Sequence, residues 1–405
     1  MNTNADRPLS GIKVVDLSTF VAAPACARML ADMGAEVIKI EGFNGDPWRV
    51  TAKVITHTDD LEMPIYDLYN SGKKSIRLNI KHPLGRKALM DMIAQADVFI
   101  TNIRPASLKK QGLDYETLSK QYPHLVYGMI TGYGEKGPEA DKPGFDDVAF
   151  WSRSGFLRDM TTDWQYEHPT NTPTSAGDNT SGAMLFGGIV TSLFKRERTG
   201  KGDLVTVALY NAGIWLLGSM IAASNPKYGS KFPKTRADFS PFSSFYRCAD
   251  GEWVRLTVLE YLRYRDVLLD ALGITEKTSH LDLSTYAKMR ETSELGLIME
   301  EAFAKKPANV WVEELTKRDI TCCRVNHMCE VLTDEQAIVN GFVNECRYPN
   351  GSVEMVAAPP IRIASQPIPK TEVAAMPGDD TREVLESLGY SSDYIDEMIN
   401  EQAAK

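Results

Sequence analysis

Asp178 is the residue through which this chain could most plainly do chemistry. It lies in Ser175-Ala176-Gly177-Asp178-Asn179-Thr180-Ser181-Gly182, directly before the apolar run 183–190. An acidic residue at such a boundary reads as a helix cap, with small and apolar residues at the close-packing positions that follow. Unpaired backbone N–H groups and the helix dipole favour a charged carboxylate there. The expectation is an Asp178 ionised at neutral pH, able to act as a nucleophile rather than as an acid. The plainer reading is a structural cap and nothing more.

Other chemistries lack support. The six cysteines, at 26, 248, 322, 323, 329 and 346, form no C-x-x-C pair and no zinc spacing. Their scatter points to a reducing compartment, hence the cytoplasm. The six histidines form no H-x-x-x-H pair, so no metal site is expected. A formal net charge of −9 argues against nucleic acid as the main partner. The N-terminal residues lack the apolar stretch of a secretory signal. No segment approaches the roughly 18 apolar residues of a membrane span. The longest candidate, residues 214–223, is expected to be a core helix.

The elements that must position Asp178 follow an α/β pattern. Residues 12–17 read as a buried strand, Pro24 is placed to open a helix, Gly34 suits its C-terminal cap, and residues 36–40 read as a second strand. Strands are also expected at 75–80, 98–100 and 125–130, with helices at 84–94 and 115–122. Together they predict an open, mostly parallel, Rossmann-like sheet covered by helices. The first loop, residues 18–23, holds no glycine, so the G-x-G-x-x-G fingerprint of dinucleotide binding is absent, and no P-loop occurs. Glu41 alone, at the end of the second strand, is weak evidence for a ribose site. Residues 225–233 read as a linker, and a smaller α+β domain is expected after it, with a hairpin at 249–252 and a strand at 253–258. The tail returns to strand and turn signals at 353–363 and closes with a helix over 381–388. The domain reading is a large α/β domain over 1–224, a small α+β domain over 225–330, and a C-terminal segment, 331–405, returning to the large domain.

Several segments in order resemble the class III CoA-transferases, which include formyl-CoA transferase, carnitine CoA-transferase and the 2-hydroxyacid CoA-transferases. They are Leu9-Ser10-Gly11-Ile12-Lys13-Val14-Val15-Asp16, Gly34-Ala35-Glu36-Val37-Ile38-Lys39-Ile40-Glu41, Gly45-Asp46, Asn70-Ser71-Gly72-Lys73-Lys74-Ser75, Gly177-Asp178, Thr199-Gly200-Lys201-Gly202, and Gly378-Asp379-Asp380-Thr381-Arg382-Glu383-Val384-Leu385. Residues 130–138 with 143–146 most resemble the phenyllactate and 2-hydroxyisocaproate branch of amino-acid-fermenting anaerobes.

The resemblance implies a mechanism. Asp178 attacks an acyl-CoA to give a mixed anhydride, and the bound thiolate then forms an aspartyl-CoA thioester. The incoming acid displaces CoA, which returns to the new acyl group. Backbone N–H groups at the start of the Asp178 helix would hold the oxyanions. Coenzyme A is a co-substrate, with no tightly bound cofactor. The CoA contacts carried over by position are Val21 and Ala22, then Leu78, Asn79, Ile80 and Lys81, then Asn102, Ile103 and Arg104, then Lys110, and the turn from Lys142 to Phe145. Lys81, Arg104, Lys110 and Lys142 would meet phosphates. Asp146 matches an acidic position near the nucleophile and is expected to support it. The family also implies interlocked homodimers, each chain an open ring threaded by its partner.

Two departures bear on specificity. Gly42 stands where many relatives have arginine, so the adenine contacts would differ. Residues 239–245 stand where formyl-CoA transferase carries glycines over its active carboxylate. With Val21, they favour a larger, more apolar acid over oxalate. Three other readings compete. A 2-acyl-CoA racemase would need the histidine base that Phe145 replaces. A nucleotide-dependent dehydrogenase lacks its fingerprint, and a non-catalytic acyl-CoA binder would not need Asp178.

Overall fold

The computed structural model describes residues 7–59, 61–161, 172–228, 232, 235 and 238–405. The described residues fall in two compact units. One is drawn from 1–156, 171–223 and 332–405, the other from 157–170 and 224–331. Part of the expected linker over 225–233 lies outside the described residues.

The larger unit is built on six parallel strands: β1 (Lys13–Leu17), β2 (Glu36–Glu41), β3 (Lys74–Arg77), β4 (Val98–Thr101), β5 (Val126–Thr131) and β6 (Leu204–Ala208). Their spatial order is β3-β2-β1-β4-β5-β6. The order reverses between β1 and β4, and the loops at the carboxyl ends of those two strands splay apart there. The sequence reading places β1, β2, β4 and β5 closely; the expected strand over 75–80 is shorter, and β6, half-buried along its length, was not expected. After Arg77 the chain makes a single bridge from Leu78 to Ala404, and the Asn79 N–H donates to Ala403 O (3.0 Å). The C-terminal residues thus cover an edge strand that would otherwise expose unpaired groups. Asp380 adds to this by accepting from the Ser75 N–H (2.7 Å).

Helices cover both faces of the sheet. They are α1 (Ala22–Asp32), α2 (Pro47–Thr56), α3 (Pro64–Asn70), α4 (Pro83–Gln95), α5 (Pro105–Lys110), α6 (Tyr115–Gln121), α8 (Ala176–Thr199), α9 (Leu209–Leu216) and α10 (Gly218–Ala223); α7 (Phe156–Met160) belongs, after its first residue, to the smaller unit. Helix α1 opens two residues ahead of Pro24, so that proline occupies the first turn, where its missing N–H costs nothing. Gly34, at φ +99°, follows its end as expected. Helix α8 crosses α1 closely at Gly182, where an added Cβ would lie 2.6 Å from Ala22 O and 3.0 Å from Ala25 Cβ. That glycine sets the distance between the two helix starts.

Residues 214–223 do not form the core helix expected of them. They break into the end of α9 and all of α10, and Trp215 is 76% exposed. Apolarity alone does not reveal whether a run faces core or solvent.

The smaller unit carries an antiparallel sheet of β7 (Phe245–Arg247), β8 (Trp253–Leu256) and β9 (Cys322–Arg324). The expected hairpin closes with Gly251 at φ +84°. Helices α11 (Tyr261–Ala271), α12 (Tyr286–Glu291), α13 (Ser293–Phe303) and α14 (Ala308–Thr316) share its core with Tyr246 and Phe242. In the larger unit, α15 (Glu335–Val339), the hairpin of β10 (Val343–Arg347) and β11 (Val353–Ala357), α16 (Thr381–Ser387) and α17 (Ser392–Asn400) complete the chain. No described helix is long and apolar enough to cross a membrane.

The Gly182→Ala variant is expected to lose about 1–3 kcal/mol of unfolding free energy, because backbone rather than a flexible side chain must move to admit the methyl. Urea denaturation measures this.

Candidate active site

Three loops leave the carboxyl ends of β1, β4 and β5 and surround a cavity of about 350 Å³. The first brings Thr19, Phe20 and Ala22, the second Asn102 and Arg104, the third Thr131 and Gly132. Ile130, Pro143, Gly144, Phe145, Leu209 and Asp178 complete the wall. Gly132 and Gly144 touch backbone to backbone, since a Cβ on Gly132 would lie 2.9 Å from Gly144 Cα. Side chains at either position would push the 143–145 turn off the cavity.

Asp178 is the third residue of α8, not its cap. The capping position belongs to Ser175, which has a left-handed backbone (φ 67°) and makes no side-chain capping bond. The carboxylate at the helix start comes from elsewhere in the chain. Asp146 opens a π-helical turn, Asp146–Ser152, and is buried. Its Oδ2 accepts from Trp151 Nε1 (3.0 Å). Its Oδ1 lies against Gly177, 2.2 Å from where a Cβ would stand. Oδ1 makes no hydrogen bond of full geometry, but the N–H groups of Gly177 and Asp178 face the carboxyl and favour its charge. Gly177 is therefore a glycine because Asp146 and Phe150 occupy the space of a side chain.

The electrostatics differ from the sequence expectation. Burial, then the charges of Asp146 and Asp147, push the Asp178 pKa up to about 7. Asp178 thus holds its proton well above the usual aspartate range, because desolvation and two like charges outweigh the helix start. Burial raises Asp146 as well; the Trp151 hydrogen bond opposes it and Asp147 adds to it. Asp147, absent from the sequence reading, accepts from Thr172 Oγ1 (2.6 Å). Tyr69, buried and with its pKa raised by burial, accepts from Asn179 Nδ2 (3.4 Å) one residue after Asp178.

Residues 9–381 match the pattern of CoA-transferase family III. The chain belongs to this family. An (R)-2-hydroxy-4-methylpentanoate CoA-transferase of Clostridioides difficile is 35% identical over 96% of this chain and 97% of its own length. A cinnamoyl-CoA:phenyllactate CoA-transferase of Clostridium sporogenes is 36% identical over 98% and 96%. Among solved structures, a CAIB/BAIF family protein from Brucella suis superposes with a TM-score of 0.79 at 26% identity, covering 94% of this chain and 99% of that one.

Of the positions carried over for a family III enzyme, Ala22, Asn102, Arg104, Phe145 and Asp178 line the cavity, and Asp146 lies buried beside Asp178 at the start of α8. Pro143 and Gly144 of the carried-over 142–145 turn line it as well, and Val21, Leu78, Asn79, Ile80, Lys81, Ile103, Lys110 and Lys142 do not. Val21 is the buried N-cap of α1. Leu78 is a core residue whose N–H donates to Glu41 O. Lys81 is exposed beside Asn79, whose Oδ1 accepts the Lys81 N–H (3.2 Å). The Ile103 N–H donates to Thr101 Oγ1 (3.1 Å), and Lys110 is exposed in the last turn of α5. Lys142 pairs with Glu139 (3.1 Å) and lies over the Tyr133 ring. Within residues 239–245, Phe242 is wholly buried in the core of the smaller unit, so it cannot itself contact an acid. Phe20 and Leu209 were not anticipated. Their positions just beyond β1 and β6 are the available signal, since loops at carboxyl ends of parallel strands bind ligands.

The enzyme's kcat/KM is expected to rise with pH through about 7 as Asp178 deprotonates. Asp146→Asn removes one negative neighbour while keeping the shape of the side chain and one acceptor oxygen, for either Trp151 or the helix start. It should move the acid limb of the profile to lower pH. A pH–rate profile of both proteins checks this.

Proposed function

We propose that this family III enzyme moves CoA from an acyl-CoA donor to a 2-hydroxy carboxylic acid with a bulky apolar side chain, with Asp178 as nucleophile. The supporting observation is a carboxylate with its pKa raised to about 7 on the wall of a cavity where Phe20, Phe145, Ile130 and Leu209 supply apolar surface beside the polar Thr19, Asn102, Arg104 and Thr131. Two relatives whose names specify 2-hydroxy-4-methylpentanoate and phenyllactate support the acid class.

The steps balance without further reagents. The Asp178 carboxylate adds to the donor thioester and expels CoA thiolate, leaving a mixed anhydride. The thiolate adds to the aspartyl carbonyl and expels the first acid, leaving an aspartyl-CoA thioester. The 2-hydroxy acid carboxylate expels the thiolate again. The thiolate then takes the new acyl group and frees Asp178. The first N–H groups of α8 are poor oxyanion donors, because Gly177 and Asp178 face Asp146 and Asn179 donates to Ser175 O. The N–H groups of Ala22 and Ala23, which open α1 beside the cavity and have no acceptor within the helix, suit that role better. Arg104, exposed at the cavity edge, suits a CoA phosphate or the incoming carboxylate. Phe145 supplies no base for α-proton removal, which disfavours racemisation.

The same reading takes the enzyme to be a cytoplasmic homodimer. Six free thiols agree with a reducing compartment. Exposed Phe194, Trp215 and Leu216 on α8 and α9 agree with a covered surface.

Incubation with an acyl-CoA followed by hydroxylamine is expected to place a hydroxamate on Asp178, read by peptide mass spectrometry. Asp178→Ala should lose the adduct and at least about 10³-fold in transfer rate. Transfer retained by Asp178→Ala would return the residue to a structural role.

A further inference from the structure

The wall of the cavity contains a strained residue held by buried charge. Phe20 has φ +63°, a conformation that costs a non-glycine residue about 1 kcal/mol or more. Its ring meets Phe145 edge-on (5.2 Å between centroids, 81° between planes), and both rings line the cavity with Asp178. Phe145 is 55% exposed, so the pair is not sealed into the core.

Each residue of this loop is held from below. Lys39 Nζ donates to Ser18 O (3.0 Å). Asn102 accepts from the Thr19 N–H (3.0 Å) and donates to Thr19 O (2.7 Å). Asp46 Oδ1 accepts the Phe20 N–H (3.1 Å) and the Trp48 N–H (2.9 Å). Asp46 Oδ2 pairs with Lys39 Nζ at 2.8 Å, both side chains essentially inaccessible. A buried ion pair is a poor device for stability alone, since desolvation offsets its attraction. Here it fixes one backbone geometry, and that geometry aims an aromatic ring at the cavity.

We propose that Phe20 is the specificity-determining residue for the acyl side chain, and that Asp46, through Lys39, is its positioning residue. The proposal rests on Asp178 being the acyl-accepting group. The edges and faces of the Phe20–Phe145 pair form a site for a branched or aryl group. The cavity volume suits the acyl portion of a substrate rather than a whole CoA.

The test uses Asp178 hydroxamate formation from two donors, 4-methylpentanoyl-CoA and acetyl-CoA, so no acceptor acid is needed. Phe20→Gly removes the ring while relieving the left-handed backbone. The wild-type preference for the branched donor should fall about tenfold in the second-order rate constant of Asp178 labelling, mostly through the donor concentration that gives half the maximal labelling rate. Asp46→Ala should lose the same preference, and the double variant should lose no more than either single one. Asp46→Asn, which can keep the Oδ1 acceptor for the Phe20 N–H but turns an amide nitrogen toward the buried Lys39 ammonium, should also lose the preference, and Asp46→Glu should recover part of it. An unchanged donor preference in Phe20→Gly would overturn the proposal, whatever the fate of the Asp46 variants. Additive losses would overturn the role of Asp46. If the wild type forms the hydroxamate with a Phe20-dependent preference yet transfers CoA to no 2-hydroxy acid, the acceptor assigned above fails and the role of Phe20 stands.

Discussion

A carboxylate that meets a helix from outside it organises this site. Asp146 sits where a side chain on Gly177 would be, faces the first N–H groups of α8, and takes the Trp151 N–H. It thereby does for the helix what an N-cap side chain normally does. It also places a second negative charge beside Asp178. The helix start alone would favour an ionised nucleophile, but burial and the neighbouring carboxylates oppose it. In the proposed role of nucleophile, a carboxylate with its pKa raised to about 7 has more basicity to attack with than an ordinary aspartate.

The scaffold explains why the cavity lies where it does. The strand order reverses between β1 and β4, and loops at such a point diverge. Dinucleotide-binding proteins fill that crevice by bringing a glycine-rich turn up to a pyrophosphate. Here the first loop has no glycine, and it is clamped by Lys39, Asp46 and Asn102. Below it, Lys73 pairs with Asp16 at 2.9 Å in the same buried layer. Burial alone would raise the Asp16 carboxyl, but Lys73 and Lys39 bring it below its ordinary value. The architecture is shared with nucleotide-binding folds, and the loop chemistry is different.

Five of the six sheet strands were legible in the sequence because burial on both faces of a parallel sheet leaves short, nearly continuous apolar runs, and α1, α4, α6, α8 and α16 because caps and apolar periodicity mark them; β6, only half-buried, and the short helices α2, α3 and α5 were not. Asp178 was legible as chemistry, since an acid among small residues before an apolar run stands either as a cap or as a reacting group. Its place in the helix was not, because the capping group, Asp146, is more than thirty residues away in the chain. The π-helical turn that carries Asp146 has no sequence signature of its own. Phe20 was invisible for a similar reason: its left-handed backbone is imposed by Asp46, 26 residues on, and no local pattern asks for it. The failure at residues 214–223 has another cause. Apolar content records what a segment can bury against, not whether its own chain supplies the cover.

The central claim is that burial and a second carboxylate keep Asp178 partly protonated near neutral pH. The direct measurement is a ¹³C NMR titration of protein labelled at aspartate carboxyl carbons, compared with Asp178→Asn. Two resonances should titrate near pH 7, those of Asp178 and of the buried Asp67, and only the Asp178 resonance should be missing from the variant. If the resonance lost in Asp178→Asn is one that titrates below about pH 5 in the wild type, the helix start dominates after all and Asp178 is not the partly protonated nucleophile described.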